Sequence, residues 1–359
     1  MAALAGGADV RAQAPAAEAT PAACAEEIDD RRRLACYDAL FRPGAAMPPA
    51  PHETPPRRNA LPALGENESS VPPAEPAPVL AGLSLSGSVM SKYWELERSD
   101  KRGTFRVKTY LPNFLLPIHY TSNINRAPSS PTQPAPVSTL RNRQIEAKLQ
   151  LSLRAKVAQS VLLPDADLWF AFTQRSMWQL WNKQDSAPFR STDYQPEAIY
   201  VVPVPARLGA LPWGWRLRML QAGIAHQSNG QGDPLSRSWN RVYLGAGVER
   251  GEFGLQARVA KRLREDHDDD NPDLTNRIGR AEVMATWLPG LATASLTWRS
   301  NLKSLNQGSV QFDWTFPVDR DQPEGLRWYV QLFSGYGETL LDYNHRQTSL
   351  GLGLTLFQF

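Results

Sequence analysis

The chain holds only two cysteines, Cys24 and Cys36, in 359 residues. A disulfide-stapled scaffold or a thiolate metal centre is therefore excluded everywhere beyond position 36. No apolar run approaches the roughly 18 residues that a membrane helix needs. That rules out a helical membrane protein but leaves a barrel open, because barrel strands are short and only half apolar. An excess of one charge is missing too: 39 basic and 36 acidic residues give a formal net charge of +3, too balanced for nucleic acid to be the partner. The first residues lack the basic and long apolar regions of a signal peptide, although Ala12-Gln13-Ala14 has the small-residue character of a cleavage site.

Proline is plentiful, and it is concentrated. Between Pro43 and Pro78 it is so dense that no packed element is expected, only a disordered or polyproline-like linker. Before it, Ala23 to Phe41 mixes charge pairs with Ile28, Leu34, Tyr37, Leu40 and Phe41, enough for one or two short amphipathic helices. A single close pair of cysteines suits a disulfide in an oxidising compartment, with two free packed thiols as the alternative. If Cys24 and Cys36 are bonded, one continuous helix is excluded, since twelve residues of helix rise about 18 Å. The expected divisions are residues 1–41, with that segment, a linker and lead-in at 42–103, and a β domain at 104–359.

From about Arg106 onward, segments of roughly ten residues alternate in polarity between turn residues. The candidate strands are Val107 to Tyr120, Gln144 to Val157, Asp167 to Trp181, Tyr194 to Ala206, Trp215 to Ser228 and Ser236 to Glu249. Phe253 to Arg264, Arg277 to Trp287, Ala292 to Asn301, Ser309 to Val318, Arg327 to Gly337 and Gln347 to Phe359 bring them to twelve. The fold class expected is all-β, a twelve-stranded antiparallel transmembrane barrel with a proline-rich, partly disordered N-terminal extension. Alternating Leu and Gly from Leu350 to Leu354 fits a lipid-out, lumen-in last strand, and the phase breaks at Leu356-Phe357. Trp178, Trp181, Trp213, Trp215 and Trp239 suit interfacial girdles.

The chemistry concentrates in the hairpin from Leu220 to Val248. Residues two apart share a face of a strand, so His226 and Ser228 stand side by side, an imidazole next to a hydroxyl. With a turn near Asp233, residues whose numbers sum to about 466 oppose one another, which puts Asn240 across from His226. These three share a face with Leu220, Ala222, Ile224, Val242 and Leu244, while Gln221, Gln227, Arg237, Trp239 and Arg241 take the other. In a barrel the apolar face meets lipid, so the group would open onto the bilayer. Serine is a weak nucleophile until an imidazole takes its proton and a third group fixes the ring, the roles that Ser228, His226 and Asn240 can fill. Gly230 would let its backbone N–H approach an oxyanion.

The compound motif His226-x-Ser228-Asn229-Gly230, Asp233-Pro234, Ser236-Arg237-Ser238-Trp239-Asn240-Arg241 resembles that of the outer membrane phospholipase A family. The likeness extends to Thr173-Gln174-Arg175-Ser176, Ser186 to Arg190, Asp269 to Asp273 and Ser334 to Glu338, and covers roughly Thr104 to Phe359. It implies a calcium-dependent lipase of the Gram-negative outer membrane, active as a homodimer, that removes acyl chains from phospholipids and lysophospholipids in the outer leaflet. By position, the calcium ligands it implies are Ser236, the main-chain carbonyl of Gln231, and Ser186 from a second subunit. Enterobacterial members carry arginine where this chain has Gln231 and aspartate where it has Gln227; a main-chain ligand survives the first change. Gln174, an amide on a lipid-facing register, is implied at the dimer interface. The acidic run from Glu265 to Asp273 reads as a solvated loop rather than a cation site. A non-enzymatic porin or adhesin barrel is the alternative function.

Overall fold

The computed structural model describes residues 20–41, 88–137, 140–265, 269–304 and 306–356. Ala12 to Ala14, the Pro43 to Pro78 tract and the terminal Phe359 lie outside them. The chain divides into two units, Met1–Pro73 and Ala74–Phe359.

In the first unit, helices α1 (Pro21–Ala25) and α2 (Asp30–Phe41) form a bent pair joined by a Cys24–Cys36 disulfide, with Cα atoms 5.5 Å apart. Thr20 caps α1 by accepting from the Ala23 N–H at 3.3 Å, with Pro21 in the first turn where its missing N–H costs nothing. Asp29 Oδ1 accepts from the N–H groups of Arg31 and Arg32, each at 3.0 Å, and so starts α2.

The second unit begins with α3 (Val89–Trp94), capped by Ser88, and continues into the sheet. Its strands are β1 (Val107–Thr109), β2 (Phe114–Thr121), β3 (Ile145–Ala158), β4 (Asp167–Trp178), β5 (Phe189–Pro203), β6 (Arg216–Ser228) and β7 (Ser238–Arg250). After β8 (Phe253–Arg262) comes the one-turn helix α4 (Leu274–Arg277), then β9 (Ala281–Trp287), β10 (Thr293–Ser300), β11 (Ser309–Pro317), β12 (Leu326–Gly335) and β13 (Gln347–Leu356). Every neighbour is antiparallel, and β13 pairs with β2 while β3 pairs with both β2 and β4, so the sheet closes on itself. Both β1 and β2 pair with β3, which makes them two pieces of one strand and the barrel twelve-stranded. The expected first strand is therefore interrupted at 110–113, and β2 shifts register around Pro117, a residue with no N–H to give the ladder.

Alternation sorts the faces. On β6, Leu220 and Ile224 are about half exposed while Met219 and Ala225 are buried; on β13, Leu350 and Leu352 point out and Ser349 and Gly351 in. The outward phase of β13 persists to Leu356, the phase break expected at Leu356-Phe357 falls outside the described residues at Phe357, and a separate register shift against β2 sits between Leu352 and Leu354. Glycine is required at Gly353, where a Cβ would lie 2.1 Å from the Leu115 carbonyl oxygen. Trp239 corrects the girdle expectation: it is buried against Leu274, Leu340 and Tyr343 on the lumen side, whereas Trp213 and Trp181 are exposed.

The lumen is polar and heavily paired. Glu338, on the loop after β12, is met by His119 Nε2 at 2.9 Å, Lys148 Nζ at 2.7 Å, Gln347 Nε2 at 2.6 Å and Ser349 Oγ. Arg190 bridges Glu146 and Asp342. Removing one partner of such a pair leaves a buried charge uncompensated, a cost of about 3–5 kcal/mol. At one end α3 packs inside the barrel, with Trp94 and Met90 against Trp169, Ile199 and Met219. The Arg154 guanidinium lies 3.7 Å from the Tyr93 ring centre and 4.3 Å from that of Trp94. Burial alone would raise the Glu95 carboxyl, but hydrogen bonds from Lys108 and Lys156 bring it down to about 2.

Candidate active site

The hairpin of β6 and β7 carries the predicted group at the end of the barrel opposite α3. His226 pairs with Asn240 and Ser228 with Ser238, the register that the summing rule gave. His226 is exposed, and Ser228 and Asn240 are partly so, on the face shared with Leu220, Ile224 and Leu244. Nδ1 of His226 lies 2.9 Å from Oδ1 of Asn240. An amide oxygen only accepts, so the proton sits on Nδ1 and Nε2 keeps its lone pair for a hydroxyl. No hydrogen bond joins Nε2 to the Ser228 hydroxyl in this state; catalytic hydrogen bonds often tighten only around substrate.

The turn between the strands is held from within. Asn229 Oδ1 accepts from the Arg237 N–H at 3.0 Å and the Gln231 N–H at 3.3 Å, and its Nδ2 donates to the Leu235 carbonyl at 2.7 Å. The Arg237 side chain is fully buried and donates to the Pro234 and Ser236 carbonyls. Burial pushes its guanidinium below the ordinary value, opposed by Tyr343 and by Asp270, Asp233 and Asp273. Gly230 has a φ of +63°, and a Cβ there would lie 3.2 Å from the Tyr194 ring. The Gly230 N–H has no acceptor among the described contacts.

The other predicted residues fall into two groups. Ser236 Oγ donates to Asp270, and Gln133 Nε2 donates to both Asp233, at 3.0 Å, and Asp270, at 2.7 Å, so one amide draws two carboxylates beside Ser236. The buried Gln231 Oε1 has no hydrogen-bond partner. Ser186 stands apart, exposed in a left-handed conformation on the loop between β4 and β5. Gln174 faces outward with Phe170 and Phe172, and it pairs with Tyr194, which pairs with Ser228. Gln174 and the Ser228 hydroxyl thus lie in one row across three strands, about 10 Å apart. Among the described residues no group of three or more His, Cys, Asp or Glu could hold a metal, so an ion here would need hydroxyl and amide oxygens as well.

Sequence reasoning assigned no role to the N-terminal plug, to Glu338 or to Asn271, whose Oδ1 accepts from the Ser238 N–H at 3.1 Å. The motifs Ser334 to Glu338 and Asp269 to Asp273 flagged the last two without saying what they hold. The luminal cavities are lined by residues such as Arg175, Arg258 and Glu282 and touch none of His226, Ser228 or Asn240. That is the geometry of a site opening on the outer face.

Comparison with known proteins decides the lineage: the phospholipase A1 family model matches residues 90–356. The chain belongs to the phospholipase A1 family. A putative phospholipase A1 of Neisseria meningitidis serogroup B is 37% identical over 353 residues, 92% of this chain and 89% of that protein. Phospholipase A1 of Escherichia coli K12 is 35% identical over 214 residues, 60% of this chain and 70% of that one. Among solved structures, the Salmonella typhi outer membrane phospholipase dimer with bound calcium superposes with a TM-score of 0.63 at 31% identity, covering 74% of this chain and 97% of that one. Outer membrane phospholipase A from E. coli gives 0.60 at 31% identity, covering 69% and 93%. The chain is accordingly an ester hydrolase built as an outer-membrane β-barrel, and the porin or adhesin alternative falls away.

Proposed function

We propose that this phospholipase hydrolyses acyl esters of phospholipids and lysophospholipids from the lipid-facing side of its barrel, with Ser228 as nucleophile, His226 as base and Asn240 as the group that orients the ring. The observation that carries the reading is the 2.9 Å contact of His226 Nδ1 with Asn240 Oδ1 on an apolar outer face, with Ser228 two residues along. His226 Nε2 takes the Ser228 proton as Oγ attacks the ester carbonyl, and returns it to the leaving alcohol; an acyl-serine results, which water then cleaves in the same manner. The unpartnered Gly230 N–H can donate to the oxyanion. With the site at the barrel end opposite the α3 plug, the outer leaflet is the proposed source of substrate.

Calcium fits the donors present: Ser236 Oγ, the Gln231 main chain, the orphaned Gln231 Oε1 and the neighbouring carboxylates are all hard oxygens. When bound, the ion would add positive charge to stabilise the oxyanion, a charge that a neutral Asn240 does not supply. Ser186 is exposed on the loop between β4 and β5, in keeping with its supply to the site of a second subunit. Gln174, whose Nε2 donates to the Ser176 hydroxyl at 3.4 Å, would satisfy the rest of its outward amide at that dimer interface.

The test is labelling with a fluorophosphonate or sulfonyl probe in detergent micelles, followed by peptide mapping. The parent is expected to carry the adduct at Ser228 and Ser228→Ala to carry none. A folded parent that stays unlabelled overturns the assignment.

A further inference from the structure

An amide can present either end to a histidine, and something must choose. Nδ2 of Asn240 donates to Oε1 of Glu265 at 3.0 Å. A carboxylate only accepts, so Glu265 obliges Nδ2 to face it and leaves Oδ1 for the His226 N–H. Glu265 is itself fixed: its Oε2 accepts from Arg262 Nη2 at 3.0 Å, and the same nitrogen reaches Asp269 Oδ1 at 2.7 Å. Arg262 also donates to the Asn271 carbonyl at 2.7 Å. The Leu263 N–H donates to the Asn240 carbonyl at 2.8 Å, so the end of β8 is laced to the strand that carries Asn240. The side chains of Arg262 and Glu265 are 12% and 18% exposed, sheltered enough for the pair to hold its geometry.

Resting on the triad reading above, we propose that Glu265 is a positioning residue of the reaction: through Asn240 it fixes the amide orientation, and with it the His226 tautomer that can accept the serine proton. It also places a negative charge behind a neutral amide, polarising its carbonyl toward the imidazolium that forms in the transition state. The acidic run from Glu265 to Asp273, read from sequence as a solvated loop, thus turns Glu265 toward Asn240 as it turns Asp270 toward Ser236.

The decisive property is a change of sign with the partner at 240. In the parent, Glu265→Gln offers an NH2 that lets Asn240 flip, and kcat is expected to fall about tenfold with KM unchanged, since neither the tautomer nor the charge behind Asn240 acts by binding substrate. In an Asn240→Asp background the two carboxylates oppose each other and no donor stands between them; there Glu265→Gln supplies one and is expected to raise kcat. These four proteins and His226→Ala would be assayed in mixed micelles with saturating calcium chloride, with heat-modifiable mobility as the folding check. Equal kcat in parent and Glu265→Gln, or the same fold-loss in both backgrounds, overturns the proposal. If His226→Ala alone retains full activity, it is the triad that fails; an inactive His226→Ala beside a fully active Glu265→Gln removes only the role of Glu265.

Discussion

Two histidines of this barrel stand next to a serine and a potential orienting group, and only one is placed for chemistry. His119 has what a hydrolase triad nominally asks for, a carboxylate at 2.9 Å in Glu338, with Ser349 bonded to the same acid. Yet His119, Glu338 and Ser349 are all nearly fully buried in the lumen, and the Ser349 hydroxyl gives its proton to the carboxylate, not to the imidazole. Lys148 neutralises that acid. His226 has only an amide at the same distance, but it is exposed on the lipid-facing side with a free Nε2 and an uncommitted serine hydroxyl. The difference between the two lies in access and in an available proton acceptor, not in the charge of the third group. The lumen cluster is a structural joint; the outer one is the proposed site.

The sharpest way to break this comparison is to remove each histidine in turn. Ser228→Ala and His226→Ala are expected to lower kcat about a thousandfold or more while the barrel stays heat-modifiable, whereas folded His119→Ala keeps kcat within a few fold. Residual turnover above a few per cent in Ser228→Ala would falsify the nucleophile assignment. The converse experiment reads stability. Glu338→Gln strands Lys148 in the lumen, and urea unfolding in detergent is expected to show a loss of about 3–5 kcal/mol, with per-molecule turnover little changed. A stable Glu338→Gln barrel with impaired turnover would make the lumen cluster functional after all.

A smaller effect is expected at Gln174, in the Ser228 row. Apolar faces give little selective attraction in lipid, so Gln174→Ala should weaken cross-linked dimer and calcium-stimulated turnover together, by a few fold. Full activity of demonstrably monomeric protein, or activity indifferent to strong chelation, would detach the site from any partner. The smallest effect is none: deleting Met1 to Leu80, which spares α3 and every residue of both clusters, should leave micellar turnover unchanged. Loss of turnover by a correctly folded, purified truncation would give the disulfide-bonded helical pair a part in catalysis.

Alternation and turn chemistry are local, and they were enough to place the barrel strands, their faces and the His226–Asn240 register. Period two fixes a face, and one tight turn fixes a register. Where the reading slipped, the cause was non-local. The break between β1 and β2 answers to the plug packed inside the barrel, where Tyr110 joins Trp94 and Met90, and Trp239, inward by strand phase, is core and not girdle because Leu274, Leu340 and Tyr343, from two distant loops, close over it. Short α3, only six residues long, gave no periodic signal, and only the barrel around it makes Trp94 and Met90 a core. Glu265 was one acid among several in an acidic run; that its carboxylate selects the orientation of Asn240 depends on β8 lying beside β7. By itself the sequence determined the elements, the faces and the chemical group, because strand periodicity and the compound motif are written along the chain. Which histidine meets lipid with a free nitrogen, which acids hold the lumen together and which one turns toward the site were decided by the tertiary structure, because each depends on partners that closure of the barrel brings from far along the chain.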